Sequence, residues 1–234
     1  MHLPKSSMMH WSSTTGSKNA GNITIYTNTF HIADGAALSA RTQGSGQGGN
    51  ITVNAMRSFE AINGGQLVTT TSANGNAGNI FVNSKDQVTI SGSDPSYFKR
   101  SNLIDQTQHN LSPNQFALIA NDIKEGSASA LLTNAETNSN GLAGNIRITT
   151  KQLTVQKGGQ VAVGSSGLND AGNLEVIANR ILLDNQPVTT GSPIVIGTLT
   201  ANHSSGSGGN IILTVKDLLL MRNNSLISTN LSLD

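Results

Sequence analysis

The sequence predicts an all-β protein, a parallel β-helix of about six coils of 28–29 residues with one large insertion. Three observations predict it. A tripeptide recurs at near-constant spacing, apolar residues alternate within short segments at fixed distances from it, and turn-forming residues separate those segments. The tripeptide is Gly-Asn-Ile, once Gly-Asn-Leu, beginning at Gly21, Gly49, Gly78, Gly144, Gly172 and Gly209. Its spacings of 28, 29, 66, 28 and 37 residues define the unit and place a large expansion in the third copy and a smaller one in the fifth.

Counted from each repeat's Asn, apolar residues fall at +1 and +3, at +8 and +10, and at +16 and +18. In the first copy these are Ile23/Ile25, Phe30/Ile32 and Leu38/Ala40. The second copy slips by one after a single added residue, giving Phe59/Ala61 and Leu67/Thr69. The fourth holds Ile146/Ile148, Leu153/Val155 and Val161/Val163, and the sixth Ile211/Leu213, Leu218/Leu220 and Leu226/Ser228. Within each pair the period is two, as in a strand with one buried face, and helical spacing is absent from the repeated segments. Residues that tolerate positive φ follow: Asp34-Gly35, Asn63-Gly64-Gly65, Gly92, Gly158-Gly159, Asp184-Asn185 and Asn223-Asn224. A Gly/Ser/Asn-rich loop such as Gly44-Ser45-Gly46-Gln47-Gly48 closes each unit.

Three short strands and three corners per unit describe one coil, stacked so that strands of the same name pair. A single coil buries too little apolar surface to offset the entropy of fixing its backbone, so neighbouring coils must supply the balance. Six coils at the strand spacing give a rod about 29 Å long.

The corner residues Gly21, Asn22, Gly49, Asn50, Gly78, Asn79, Gly144, Asn145, Gly172, Asn173, Gly209 and Asn210 are the structural signature of the repeat. Two readings of the asparagines stand side by side: a stacked amide ladder, or a residue that merely suits the turn. Residues 21–234 form the β-helix. Residues 1–20 read as the remnant of a preceding coil, because Trp11–Thr15 matches the third-strand segment Leu67–Thr71 and a closing loop follows it. The chain also stops inside a coil at Asp234, so a fragment of a longer protein is expected, with adjoining coils as its nearest partners.

The insertion at about 94–126 holds Tyr97, Phe98, Lys99, Arg100 and Phe116 and is the candidate partner-binding loop. Covering a strip of the rod is the plainer reading of the same loop. Pro113 followed by Phe116, Ile119, Ala120 and Ile123 fits a short amphipathic helix beginning near Ser112. The second insertion, Pro187 to Pro193, reads as a longer turn.

Composition narrows the function. A formal net charge of +1, from 14 Lys and Arg against 13 Asp and Glu, is too weak a field to hold nucleic acid. Charged residues are 12% and aromatics 3%, against 25 Gly and 27 Asn, which argues against an ordinary helical enzyme. Zero Cys removes disulfides, thiolate catalysis and Cys-based metal sites. No window reaches the roughly 18 apolar residues of a membrane span, and the first twenty residues lack the apolar run of a secretory signal.

No cofactor or metal site is assigned. Gly44–Gly49 matches G-x-G-x-x-G, but a strand follows it where a helix would be needed to receive a pyrophosphate. His2, His10, His31, His109 and His203 fall at unrelated repeat offsets, so stacking gathers no metal ligands. No catalytic residue is assigned either. The outward row at +2 runs Thr24, Thr52, Phe81, Arg147, Glu175, Ile212, and that of the third strand runs Ser39, Val68, Ala162, Ile227. Glycosidic cleavage needs a paired acid and base, and neither row stacks two carboxylates. Arg147 over Glu175 reads as a surface ion pair.

At Ala20–Ile25, Gly48–Val53 and Ala33–Ala40 the chain resembles the repeat region of filamentous-haemagglutinin-like exoproteins, most of all the two-partner-secreted surface proteins of cyanobacterial type. The likeness covers nearly the whole chain outside the first insertion. It implies a right-handed parallel β-helix stalk on the bacterial cell surface or outside the cell, exported by an outer-membrane secretion partner and acting in adhesion, aggregation or biofilm formation. Members begin with a signal peptide and a secretion domain bearing N-P-N-L. This chain shows neither, since Ser112-Pro113-Asn114-Gln115 is no match. The expected function is therefore a non-catalytic structural or adhesive segment with a surface glycan or protein as its candidate ligand. The alternative is a carbohydrate-binding or polysaccharide-cleaving β-helix.

Overall fold

The alternating segments become strands that pair only with their counterparts one repeat away. The computed structural model describes residues 9–14, 16–94, 128–186, 195–200 and 206–229. Strand β1 (Met9–Thr14) precedes the first full coil, made of β2 (Ile23–Ala33) and β3 (Ala37–Thr42). The next coils hold β4 (Ile51–Ile62) and β5 (Gln66–Thr71), then β6 (Ile80–Ser84), β7 (Gln87–Ser91) and β8 (Ala130–Ala135). The last three hold β9 (Ile146–Gln156) and β10 (Gln160–Ser165), β11 (Leu174–Asp184) and β12 (Val195–Thr200), and β13 (Ile211–Arg222) and β14 (Leu226–Thr229). Short strands form one sheet in the order β1-β3-β5-β8-β10-β12-β14, and long strands form the other as β13-β11-β9-β6-β4-β2, with β7 between β4 and β9. Every ladder between strands is parallel, so the chain is an all-β parallel solenoid.

Two strands per coil, where three were expected, is a correction. The segments at +1 and +8 run together as one strand of 11 or 12 residues, except in the third coil, where Lys85 and Asp86 separate β6 from β7. The corner between them is a slip in the pleat. In β4 the inward residues Ile51, Val53 and Ala55 are buried, Met56 and Arg57 are both exposed, and alternation resumes at Phe59. No positive φ is needed there, so no turn residue marks it. At the next corner both central residues take positive φ in Asp34-Gly35, Asn63-Gly64, Lys157-Gly158 and Asn223-Asn224. That is the pattern of a tight primed turn, which glycine and asparagine tolerate best. The fourth coil therefore uses Lys157-Gly158 and not the predicted Gly158-Gly159, and Asp184-Asn185 carries no positive φ.

Register fixes the inward columns. The added residue of the second copy appears as a shift between Thr27 and Thr29. The sixth copy is corrected by the same device. Ile181 and Leu183 pair with Leu219 and Met221, and Ile196 pairs with Ile227, so the predicted inward residues Leu218, Leu220 and Leu226 lie one place off. Lys216-Asp217 supplies the extra residue, and the apolar run Leu218–Met221 carries no alternation from which its phase could be read. The outward row of the short sheet is thus Ser39, Val68, Leu132, Ala162, Gly197, Ser228. In β1, His10 stands opposite Leu38 and Trp11 opposite Ser39, one residue from the alignment of Trp11 with Leu67.

The core is one continuous column set. Ile51, Ile80, Ile146 and Leu174 stack at one position, and Phe59, Val88, Leu153 and Ile181 at another, all at most 1% exposed. The first insertion leaves this stack undisturbed. Its ends meet in an antiparallel bridge between Ser93 and Ala128, and β5 pairs with β8 in register across it. Tyr97, Phe98, Lys99, Arg100, Phe116 and the helix expected near Ser112 lie outside the described residues, as does the segment Pro187 to Pro193.

Candidate functional site

Each corner asparagine before Asn210 turns its side-chain oxygen along the rod to accept the backbone N–H of the asparagine one coil on. Asn50, Asn79, Asn145 and Asn173 donate at 2.8 Å and Asn210 at 2.9 Å. Side-chain amides add to this at Asn79 onto Asn50, 3.2 Å, and Asn145 onto Asn79, 2.9 Å. Of the two readings, the ladder is therefore the one present, with the backbone amide as its constant donor. The glycine before each asparagine has its own cause. A Cβ on Gly49, Gly78, Gly144, Gly172 or Gly209 would overlap the carbonyl oxygen of the glycine one coil before it. From inside, Thr69, Thr133 and Thr198 donate hydroxyls to the carbonyls of Gly78, Gly144 and Gly209.

The sequence reading missed a second ladder in the closing loop. There Asn19, Asn76 and Asp170 accept the backbone N–H of Gln47, Leu142 and Ser207. These are the same Asx-to-next-coil bonds at a position where residue type varies, so no repeated tripeptide announces them.

Charged groups pair vertically, one coil to the next. Arg147 Nε lies 3.2 Å from Glu175 Oε2, as the stacking of the +2 row predicts. Lys151 Nζ lies 2.9 Å from Asp86 Oδ1, and that hydrogen bond holds the Asp86 carboxyl below its usual range. Asn223 and Arg222 donate to Asp184 and lower its pKa in the same way. His31 Nδ1 faces Glu60 at 3.1 Å. Arg41, 3% exposed, reaches past the second coil to pair with Glu136 of the third on the outward face of the short sheet, where Ser39, Val68, Thr70 and Ala162 are buried as well. Among the described residues no three His, Asp or Glu gather as a metal site.

Among the described residues, a constellation that faces solvent with an aromatic ring lies on the long sheet. The outward row two places beyond the +2 row runs Tyr26, Asn54, Asn83, Thr149 across four coils. Beside it, at the bend, stand Asn28, Met56 and Lys85, and with Thr27, Ala55 and Ser84 of the inward row between them they line a trough of about 600 Å³. Tyr26 is 80% exposed and Met56 68%. Asn83 Nδ2 donates to Asn54 Oδ1 at 2.9 Å, which fixes both amide planes. The signal was present in the sequence as a lone tyrosine in the outward row Tyr26, Asn54, Asn83, Thr149, Ile177, Thr214.

No family of known proteins, no curated protein and no solved structure matches the chain.

Proposed function

We propose that this chain is a non-catalytic structural and adhesive segment of a bacterial surface protein, a stiff rod that spaces and displays binding surfaces. The observation that supports it most is the unbroken succession of parallel strand pairings. Each coil hands its backbone, its corner amide and its apolar column to the next, and most of the repeat's distinctive residues are spent on that hand-over. A solenoid of this kind is rigid along its axis, and its sides carry rows of side chains at a fixed spacing, which suits display better than turnover.

Four observations test the reading. Far-UV circular dichroism of the purified chain should give an all-β spectrum that melts cooperatively, and beads coated with it should hold to cells or to one another. The reading frame's neighbourhood should contain a secretion domain and an outer-membrane transporter gene of the matching type. Turnover of a polysaccharide, followed as new reducing ends or as unsaturated uronate, would overturn the proposal in favour of the carbohydrate-cleaving alternative.

A further inference from the structure

We infer that the trough beside Tyr26 is a binding subsite for a neutral glycan chain lying along the rod axis. This rests on the adhesive half of the proposed function and names the ligand class that half leaves open.

The floor and walls decide the chemistry. The trough lies on the outer face of a sheet whose strands β2, β4, β6 and β9 are already hydrogen-bonded edge to edge, so a peptide strand cannot dock there by adding to the ladder. Recognition falls to side chains alone. Among those lining it, Lys85 is the one ionisable group besides the tyrosine phenol, so an anionic polymer finds little opposite charge. What the walls offer is an exposed aromatic ring and a run of neutral amides and hydroxyls: Asn28, Asn54, Asn83 and Thr149. Amides present donors and acceptors together, which matches a ligand whose hydroxyls do both. Tyr26 supplies a flat apolar face and a polar tip at small entropic cost, having two side-chain torsions. The bond from Asn83 to Asn54 preorganises the amides, so less ordering opposes binding. The four coils also repeat these groups along the axis, at the strand spacing of about 4.8 Å, which favours a ligand that repeats as well.

The full 234-residue chain should be titrated by ligand-observed NMR with the tetrasaccharides of β-1,4-linked glucose, N-acetylglucosamine and mannose. Heparin serves as the acidic arm and a random-sequence peptide pool as the protein arm. Saturable binding of at least one neutral tetrasaccharide is the expected result, weakened about tenfold or more by Tyr26→Ala, by a smaller factor by Asn54→Ala, and little by Tyr26→Phe. Three results overturn it: no saturable neutral binding, binding of heparin or the peptides alone, or neutral binding that Tyr26→Ala leaves unchanged. Far-UV circular dichroism and thermal melts on the same samples keep the two ideas apart. An intact rod that binds nothing removes the subsite and leaves the spacer role, whereas a chain that forms no rod removes the reading on which both stand.

Discussion

Gly78 and Asn79 show how one dipeptide carries two independent demands. The glycine is small because a neighbouring backbone passes where its Cβ would be, and the asparagine is an acceptor because the next coil brings an unpaired N–H to that point. Gly78→Ala should therefore destabilise by about 3 kcal/mol or more, since the group it strikes is backbone and cannot rotate away. Asn79→Ala should cost about 1 kcal/mol by removing the acceptor for Asn145, and Asn79→Asp should recover part of it. Urea unfolding followed by circular dichroism measures all three. Asp86 and Asp184 give a dependence on pH with a definite sign. Hydrogen bonds from Lys151 onto the first, and from Asn223 and Arg222 onto the second, hold both carboxyls below their unfolded values. The folded state thus binds fewer protons than the unfolded one in that interval. Their contribution is complete above about pH 4 and is lost as pH falls through the lowered folded values. Asp86→Asn should flatten the acid limb of a stability-against-pH curve; an unchanged limb would mean that the Lys151 bond does not persist in solution.

At the scale of the strand, inward and outward positions differ sharply in what they tolerate. Phe59 is fully buried and stacks on Phe30 with ring centroids 5.3 Å apart. Phe59→Ala should lower stability by about 3–5 kcal/mol. Met56, three residues earlier at the bend, stands 68% exposed, and Met56→Ser should shift stability by no more than about 0.5 kcal/mol. Thermal melts of the two variants check this, and comparable losses would show the register to be off by one. The bend itself explains why strand phase is not carried along a coil. One extra residue at Met56-Arg57 or Lys216-Asp217 is absorbed in the exposed slip of the pleat, after which the inward face resumes on the other parity.

For the whole molecule, the contrast between successive coils sets its behaviour in solution. Leu174, Val176, Ile181 and Leu183 are at most 1% exposed, while their partners in β13, Ile211, Leu213, Leu219 and Met221, are half-buried or exposed. A row of unpaired strand backbone beside an apolar column is a template for another chain. The 234-residue polypeptide should therefore associate with itself through β13, and Leu213→Glu together with Leu219→Glu should shift it toward monomer in sedimentation velocity. A wild-type monomer that stays dispersed at high concentration would contradict this.

The sequence by itself determined the solenoid, its repeat length, the vertical pairing of Arg147 with Glu175, and the corner columns. These follow from local period, spacing and turn chemistry, which stacking then multiplies. Four things were decided only by the tertiary structure: that the first two strands of a coil run as one, that Leu219 and Met221 face inward in place of Leu218 and Leu220, that the corner ladder runs through backbone amides, and that Tyr26, Asn54 and Asn83 share a trough. The first follows from a bend that needs no positive φ, so no turn residue marks it. The other three depend on which residue of one coil lies beside which residue of the next, and an apolar run such as Leu218–Met221 leaves that relation unmarked in the local pattern.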